Sequence, residues 1–587
     1  MPTLLLTLLA CTGSSEVAST WTGPTTSQGA GQEPTTVELG GPADTLVIAL
    51  LADVGTLLPV VSSTATEFDF LHNLNRLMLS RSFDCGLKYD SDMVESYTFN
   101  EDSTVLTMTL KDDVVWSDGT PFTAEDVRFT YELVADPLVA SPRLDYVKKM
   151  VPGKAPEVLG PHELAWHFTS PYNQTIQLSH TSQVPILPKH ALADADRATL
   201  RGHAFGRTPI TTGPWMIEEW LPNEKIVLVP NPSWTGPDED RPRLKRVVFK
   251  ILPEYATRLV ELENGSIDMA TALQVEDADR LRVERPDLDI ISRGWRATDF
   301  LVWNRFDPED YDAKKKAATA AEEELDWTTV APHRYFGDKR VRVAMTKAID
   351  LEKLMTDLLG SKQTGQLHAK QAFSTLTPEL CGAMNEDIQP FPFDPKGARA
   401  DLEALGWTDT DGDGWLDKDG ERFEFFLRTN SGNPRRAKAA ILIQSFLADI
   451  GVKVEIERIE ANTFFSGLRK KSFDGAISGW SAGLYADMEA LWHSGDRNLL
   501  NYPSYSNPTV DALIQQANVE PDPEKNLALM REAQALIYAD QPYTFLYWRE
   551  ELLALDKRFK DTKVSVLNPY HELSTWWVPP TEVKYTR

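Results

Sequence analysis

The chain has 587 residues, of which 42% are apolar and 25% are charged, and its formal net charge at pH 7 is −27. This length exceeds what one hydrophobic core supports, so we expect a soluble globular protein of two or three domains. The acidic balance argues against binding of nucleic acid or anionic lipid, because both select clustered lysine and arginine.

A short apolar run from Leu4 to Ala10 stands directly before Cys11. An apolar segment, a small residue and then a cysteine resemble the signal of a bacterial lipoprotein, whose cysteine receives the lipid. The resemblance implies a signal segment at residues 1–11 and a lipid anchor at Cys11. Because no lysine or arginine precedes the run, we expect the natural start to lie further upstream; the alternative is a chance apolar run.

Serine, threonine, glycine and proline dominate residues 12–43. Such a composition cannot bury enough apolar surface to fold, so we predict a flexible tether. Folded structure is expected from about residue 44, where the apolar stretch from Leu46 to Val54 predicts a strand leading into a loop.

The chain has only three cysteines. With Cys11 assigned to the signal, Cys85 and Cys381 are left as a pair that an oxidising compartment would allow to bridge. Their separation in sequence does not establish their distance in space, so the pairing stays open.

The clearest local pattern lies between residues 104 and 134. Apolar residues alternate from Thr104 to Leu110, which predicts a half-buried strand. Thr123 stands three residues before Asp126, a capping-box spacing that predicts a helix start. The buried stripe of that helix is predicted to contain Val127, Tyr131 and Val134.

Further elements follow the same rules. We predict a strand over 247–251 and a helix over 254–263 ended by Gly265, and we expect the second half of the chain to start with Phe300 to Asn304. Residues 307–338 are expected to form an exposed insertion with a helix in its Lys-rich part. The remaining predictions are helices over 340–359 and 435–450, a strand over 452–459, and strand-like segments near Val564 and Trp576. Helix followed by strand predicts an α/β lobe.

Five stretches of the chain, in this order, resemble the signature of the family 5 extracellular solute-binding proteins, the peptide, nickel and oligosaccharide receptors of bacterial ABC importers. They are WSDGTPFTAEDV at 116–127, TGPW at 212–215, LENGSID at 262–268, VRVAMTKAID at 341–350 and FDGAISGW at 473–480. The resemblance extends over roughly residues 44 to 587.

The resemblance implies an α/β fold, a type II periplasmic binding protein with three subdomains and a ligand cleft between two lobes. Lobe 1 is expected at 44–297 with an inserted subdomain at about 87–190, lobe 2 at 298–547, and a return to lobe 1 at 548–587. It also implies a monomeric, lipid-anchored binding component in the periplasm or at the cell surface. Such a protein captures a small solute, by default an oligopeptide, and delivers it to ABC permease subunits without enzymatic activity or a cofactor.

The family pattern also suggests which residues contact the ligand. One wall is predicted to contain Trp480, Ser481, Gly483, Tyr485 and Asp487, and Trp303, Asn304 and Thr212 are expected near the hinge. Peptide-binding members have an aspartate, three residues after the tryptophan that matches Trp480, that pairs with the peptide α-ammonium. This chain has Gly483 there, and Asp487 is a hypothetical replacement.

Four aspartates have the spacing of a calcium-binding loop. Asp409, Asp411, Asp413 and Asp417 occupy positions 1, 3, 5 and 9 of that loop, but Gly420 stands at position 12, where a bidentate glutamate is required. A structural calcium site and a plain Asp-Gly surface turn both remain open.

Two functions outside transport also remain open. Residues 479–483 match the GxSxG pattern of a serine hydrolase, with Ser481 as nucleophile and Asp487 and His571 following in the required order. No oxyanion-hole segment of the HGGG type precedes it, which makes this match weak. The other alternative is a surface scaffold or adhesion protein that retains the fold.

Overall fold

The computed structural model describes residues 44–81, 89–151, 155–482, 488–496, 500–566 and 568–585. The predicted signal segment and tether, with Cys11, lie outside these ranges, and so does Cys85. Across the described ranges, no helix has the length and apolarity that crossing a membrane requires.

The chain enters lobe 1 through a strand and a capped helix. Thr64 caps that helix: its hydroxyl accepts the N–H of Glu67 at 3.3 Å, and the Glu67 carboxylate accepts the N–H of Thr64 at 2.9 Å. The elements are β1 (Thr45–Leu50), α1 (Ala65–Leu74), β2 (Leu79–Arg81) and β3 (Tyr89–Ser91).

An inserted subdomain follows. Its elements are β4 (Val94–Phe99), β5 (Val105–Leu110), α2 (Ala124–Ala135), α3 (Leu144–Lys148), β6 (Met150–Val151), β7 (Glu157–Gly160), β8 (Glu163–Phe168), α4 (Gln174–Ser182) and α5 (Lys189–Leu192). The strands form a sheet of order β4-β5-β8-β6, with β7 beside β8. The predicted strand and capped helix are confirmed as β5 and α2, and the stripe of Val127, Tyr131 and Val134 is fully buried.

Lobe 1 then resumes. Its elements are β9 (Trp215–Leu221), β10 (Lys225–Pro230), β11 (Arg246–Ile251), α6 (Tyr255–Glu263), β12 (Met269–Leu273), α7 (Val275–Glu284) and β13 (Leu288–Ser292). The predicted strand and helix are confirmed as β11 and α6. Gly265 has a φ of +75° just past α6, a left-handed conformation that ends helices and favours glycine.

Lobe 2 contains most of the described helices. Its elements are β14 (Ala297–Trp303), α8 (Pro308–Ala320), α9 (Lys339–Ala348), α10 (Leu351–Leu359), β15 (Ala369–Gln371), α11 (Pro395–Ala404), β16 (Asp417–Lys418), β17 (Glu421–Arg422), β18 (Glu424–Asn430), α12 (Pro434–Ala448), β19 (Lys453–Ile459), α13 (Ala461–Arg469), β20 (Gly475–Ser481), α14 (Glu489–Trp492), α15 (Pro508–Val519), α16 (Pro523–Asp540) and β21 (Tyr543–Arg549). The last strand, β22 (Leu552–Asp556), belongs to lobe 1.

The two large sheets show where the chain crosses between the lobes. In the described chain, lobe 1 has the strand order β13-β22-β12-β1-β11-β10-β9 and lobe 2 has the order β15-β21-β14-β20-β18-β19. The crossovers are therefore residues 293–296, which we call the first crossover, and residues 550–551, the second crossover. Trp548 and Arg549 still pair with β14, so the return to lobe 1 begins at 550 and not at 548.

Two local predictions are wrong. The helix predicted over 340–359 is broken into α9 and α10, because Ile349 is extended and the Asp350 carboxylate accepts the N–H of Lys353 at 2.9 Å, which starts a new helix. The segments near Val564 and Trp576 form no strand in the described chain. An isolated bridge between Lys560 and Trp577 stands near them.

Candidate ligand-binding site

The two crossovers are tied together by an arginine and a glutamate. The Arg293 side chain lies 3.1 Å from the Glu551 carboxylate, and its backbone N–H donates to the Glu551 carbonyl at 2.9 Å. Although burial raises it, the pKa of the Glu551 carboxyl is held below its usual range by the guanidiniums of Arg549, Arg293 and Arg296. An ion pair and a backbone hydrogen bond therefore hold the first and second crossovers together at the hinge.

The lobe 2 side of the hinge contains a buried aspartate. Asp299 on β14 accepts hydrogen bonds from Arg435 at 2.8 Å, from Arg436 at 3.1 Å and from the Tyr547 hydroxyl at 3.1 Å. Burial alone would raise the pKa of this carboxyl. The two guanidiniums lower it by more, so the pKa lies well below its ordinary value. A Cβ on Gly479 would lie 2.5 Å from an Asp299 oxygen, so the cluster needs glycine there.

Trp480 and Ser481 end β20 beside this cluster. The half-buried Trp480 ring stacks on Tyr502 with the centroids 4.9 Å apart, and Ser481 is exposed. The next residue, Ala482, exchanges hydrogen bonds with Arg296 of the first crossover. The structure thus brings Trp480 and Ser481 to the hinge. The other predicted wall residues, Gly483, Tyr485 and Asp487, lie outside the described residues.

Ser481 lacks the backbone setting of a hydrolase nucleophile. A nucleophile elbow holds its serine in a sharp turn between a strand and a helix. Here Ser481 is still within β20 and pairs with Ala297.

The three residues expected near the hinge have internal contacts. Trp303 is fully buried, with its ring 4.4 Å from that of Phe336, and its indole N–H donates to Thr544 at 3.0 Å. Asn304 is also buried and donates to two backbone carbonyls. In this arrangement both side chains support the core of lobe 2, and their contact with a ligand stays a prediction.

Thr212 and Gly213 hold the end of α1. The Thr212 hydroxyl accepts the N–H of Arg76 at 3.1 Å, and the Gly213 N–H donates to the Leu74 carbonyl at 2.8 Å. A Cβ on Gly213 would lie 2.5 Å from the Leu74 carbonyl carbon. The TGPW stretch therefore fixes the position of the C-terminal end of α1.

One face of α1 was not predicted to belong to the site. Asp69 is half-buried and His72 is exposed, yet both lie within electrostatic range of Arg296. Burial raises the pKa of the Asp69 carboxyl to about 7, a shift that Arg293 and Arg296 oppose and Glu551 supports. Strongly shifted pKa values often occur at functional sites.

A second contact between the lobes lies on the subdomain. Lys149 reaches Glu489 of lobe 2 at 2.9 Å, and the Asn173 N–H donates to the Asn518 carbonyl at 2.8 Å. The Asn173 amide also donates to the Glu520 carbonyl at 2.6 Å. We call this set the rim contact; it joins the lobes at a place other than the crossovers.

In the candidate calcium loop, most of the aspartate carboxylates already accept hydrogen bonds or form an ion pair within the protein. Carboxylate oxygens of Asp409, Asp411 and Asp413 lie within 4.8 Å of one another. Asp409 accepts the N–H groups of Gly412 and Gly414 at 2.8 and 3.0 Å, and Asp413 is paired with an arginine. The fourth aspartate, Asp417, accepts hydrogen bonds from Thr410. Calcium binding stays a prediction.

Cys381 forms a disulfide. Its predicted partner, Cys85, lies outside the described residues, so that pairing stays a prediction.

Two lobes, each built on one large sheet and joined by two crossovers, define the architecture of a solute receptor. Residues 88–499 match the family of bacterial extracellular solute-binding proteins, family 5 Middle. The chain belongs to this family, whose members are binding proteins and not enzymes.

Two curated relatives match most of the chain. The oligopeptide-binding protein AppA of Bacillus subtilis is 26% identical over 479 residues, 80% of this chain and 80% of that protein. The probable D,D-dipeptide-binding periplasmic protein DdpA of Escherichia coli is 25% identical over 546 residues, 90% of this chain and 93% of that protein.

Solved structures have the same fold. The structure of Bacillus subtilis AppA in complex with a nonapeptide has a TM-score of 0.76 at 25% identity, covering 92% of this chain and 100% of that chain. NikZ of Campylobacter jejuni in complex with Ni(L-His) has a TM-score of 0.75 at 22% identity, covering 91% and 100%. The two-lobed α/β fold predicted from the sequence is confirmed.

Proposed function

We propose that this protein captures oligopeptides outside the cytoplasm and delivers them to the permease subunits of an ABC importer. The observation that carries the proposal is the similarity over 92% of the chain to AppA, a protein solved with a nonapeptide. The half-buried Trp480 ring beside the hinge suits such a ligand, since aromatic side chains commonly line ligand sites.

Closure of the lobes is the mechanism. A ligand that contacts both lobes stabilises the closed arrangement by its differential affinity for it, and the permease recognises that shape. The Arg293–Glu551 contact keeps the crossovers together during this motion, whereas the rim contact forms when the lobes close and breaks when they open. The wall at Trp480 and Ser481 continues in our proposal through Gly483, Tyr485 and Asp487.

The proposal includes a monomer anchored to the membrane by lipid on Cys11. Membrane fractionation of the full-length protein in its host tests the anchor, with Cys11→Ala as the variant. We expect the wild-type protein in the membrane fraction and the variant in the soluble fraction. Recovery of both proteins in the soluble fraction would contradict the anchor.

Titration of the purified full chain with a synthetic library of short peptides, followed by tryptophan fluorescence and calorimetry, tests the ligand class. We expect saturable binding of peptides at one site and no binding of free amino acids of the same composition. Binding of a non-peptide solute in preference to every peptide would reject oligopeptide capture and keep solute binding.

A further inference from the structure

Lys471, in the turn between α13 and β20, combines two costly features. Its side chain is fully buried, and no carboxylate among the described residues pairs with its ammonium. Burial lowers the pKa of this ammonium to about 7. The backbone of Lys471 has a φ of +57°, in the left-handed region that costs free energy for a residue with a Cβ. Such features persist where the surrounding structure fixes them, and they often lie at functional sites.

The ammonium holds residues 500–505, which we call the support loop. Lys471 Nζ donates to the carbonyls of Asn501 at 2.6 Å and Tyr502 at 3.3 Å. The Asn501 side chain stabilises the loop, since it accepts the N–H of Tyr505 at 2.7 Å and donates to the Tyr505 carbonyl at 2.9 Å. An ammonium has three donors on one atom, so Lys471 can satisfy both carbonyls together. The position of Tyr502 therefore depends on Lys471.

The backbone of Lys471 is itself fixed by the residue that follows β14. The Asn304 amide donates to the carbonyls of Lys471 and Phe473, both at 2.8 Å. The Lys471 N–H donates to the carbonyl of Leu468 in the last turn of α13, at 3.2 Å. Asn304 and Lys471 are both fully buried, so water does not compete for these hydrogen bonds. The central sheet of lobe 2 thus determines where the ammonium lies.

The support loop carries the ring that packs against Trp480. The Tyr502 ring is stacked on the Trp480 ring, with the centroids 4.9 Å apart and an angle of 24° between the planes. A second ring, that of Phe300, lies 6.0 Å from Trp480. Tyr502 is buried, whereas Trp480 is half-buried. Tyr502 therefore supports Trp480 from the interior and is not itself a surface for a ligand.

We propose that Lys471 is a positioning residue for ligand binding: its ammonium fixes Tyr502, and Tyr502 sets the orientation of the Trp480 ring that a ligand contacts. This inference rests on the proposed function, in which Trp480 forms part of the binding wall. It adds to the site a residue that no ligand touches. A ring that is already held in its binding orientation loses little conformational entropy when the ligand binds, so the affinity depends on this support.

Near-ultraviolet circular dichroism of the full chain without ligand tests the first step. The spectrum of the wild-type protein minus that of Trp480→Phe gives the contribution of the stacked indole. Lys471→Met keeps an apolar side chain in the interior and removes the donors, so we expect it to lose most of this contribution, measured against the double variant with Trp480→Phe. A residue that contributes only to stability would lower the melting temperature and leave the contribution unchanged. Lys470→Met, the same change at the exposed neighbouring lysine, is the matched control and should retain it.

Calorimetry with the tightest-binding peptide of the synthetic library tests the second step. We expect Lys471→Met to bind it about twofold to tenfold more weakly, the range that one aromatic pair contributes. In the Trp480→Ala background, Lys471→Met should cause no further loss, because its effect passes through Trp480. Tyr502→Leu removes the supporting ring and leaves Lys471 in place. It should reproduce both losses, and it provides the same test if Lys471→Met does not fold.

The outcomes separate this inference from the proposed function. A Trp480 contribution that Lys471→Met leaves unchanged would overturn the positioning role. An affinity that Lys471→Met leaves unchanged, or a loss of the same size in the Trp480→Ala background, would overturn the connection with ligand binding. No peptide binding by the wild-type protein would reject peptide capture. The circular dichroism needs no ligand, so in that case it would still support or overturn the positioning of Trp480 by Lys471.

Discussion

Arg293 and Glu551, 258 positions apart in sequence, meet at 3.1 Å where the chain passes between the lobes. The side chain of Arg293 is 10% exposed and that of Glu551 is 23% exposed, so water screens this ion pair only in part. One pair therefore ties the two crossovers together.

Replacing Glu551 with glutamine should destabilise the protein. The change leaves Arg293 and Arg549 without their carboxylate, and removing one partner of a buried pair costs on the order of 3 kcal/mol. Urea unfolding at pH 7 measures the free energy of unfolding. Glu352→Gln, an exposed position on α10, is the control and should change it by less than about 0.5 kcal/mol. Equal values for the two variants would contradict the role of the pair.

Because of the lowered pKa of Asp299, we expect the free energy of unfolding to decrease in acid. Its folded pKa lies below the unfolded value of about 3.9, so its contribution is fully present above that value and is lost as the pH falls. Urea unfolding of the wild-type protein and of Asp299→Asn at pH 7 and at pH 3 measures this contribution. The difference between the two proteins should be largest at pH 7 and smaller at pH 3, and a constant difference would contradict the sign.

Gly213→Ala should weaken ligand binding through α1. The added Cβ would lie 2.5 Å from backbone atoms of Leu74, so the end of the helix must move and carry Asp69 with it. Gly202→Ala is the control, because a Cβ there meets no atom within 4 Å. Calorimetry with the tightest peptide should show a loss of about tenfold or more in Gly213→Ala only. Matching affinities in the two variants would show that α1 does not position the site.

Lys149→Ala should shift the balance between open and closed lobes. It removes the Lys149–Glu489 contact, and an ion pair of this kind contributes about 0.2–1 kcal/mol. Affinity should fall by up to about fivefold, and small-angle scattering of the unliganded protein should show a larger radius of gyration. Lys189→Ala breaks the exposed Lys189–Glu125 pair within the subdomain and should change neither quantity.

Local signals in the sequence predicted local structure well. The alternation of β5 and the Thr123–Asp126 capping box involve residues close in sequence, so neighbouring residues alone determine them. The break between α9 and α10 was missed because the apolar spacing continues across it through Ala348 and Leu351, while the Asp350 side chain starts a new helix. The division into two lobes was predicted from the family resemblance and not from local patterns.

The site was predicted less well, for a physical reason. The surroundings of Asp69 are made by residues more than two hundred positions away, at the two crossovers, and no spacing in the sequence records that proximity. Trp303 was expected near the hinge, and the strand that carries it, β14, is an inner strand of its sheet whose side chains are buried on both faces. A helix carrying Asp69 and His72 on one face was the available signal.

Native mass spectrometry of the full-length protein, purified gently from its own host in detergent, tests peptide capture most directly. Comparison with the mass of the denatured protein gives the mass of any bound molecule, and fragmentation identifies it. We expect a population of bound oligopeptides. A bound molecule that is not a peptide would contradict peptide capture.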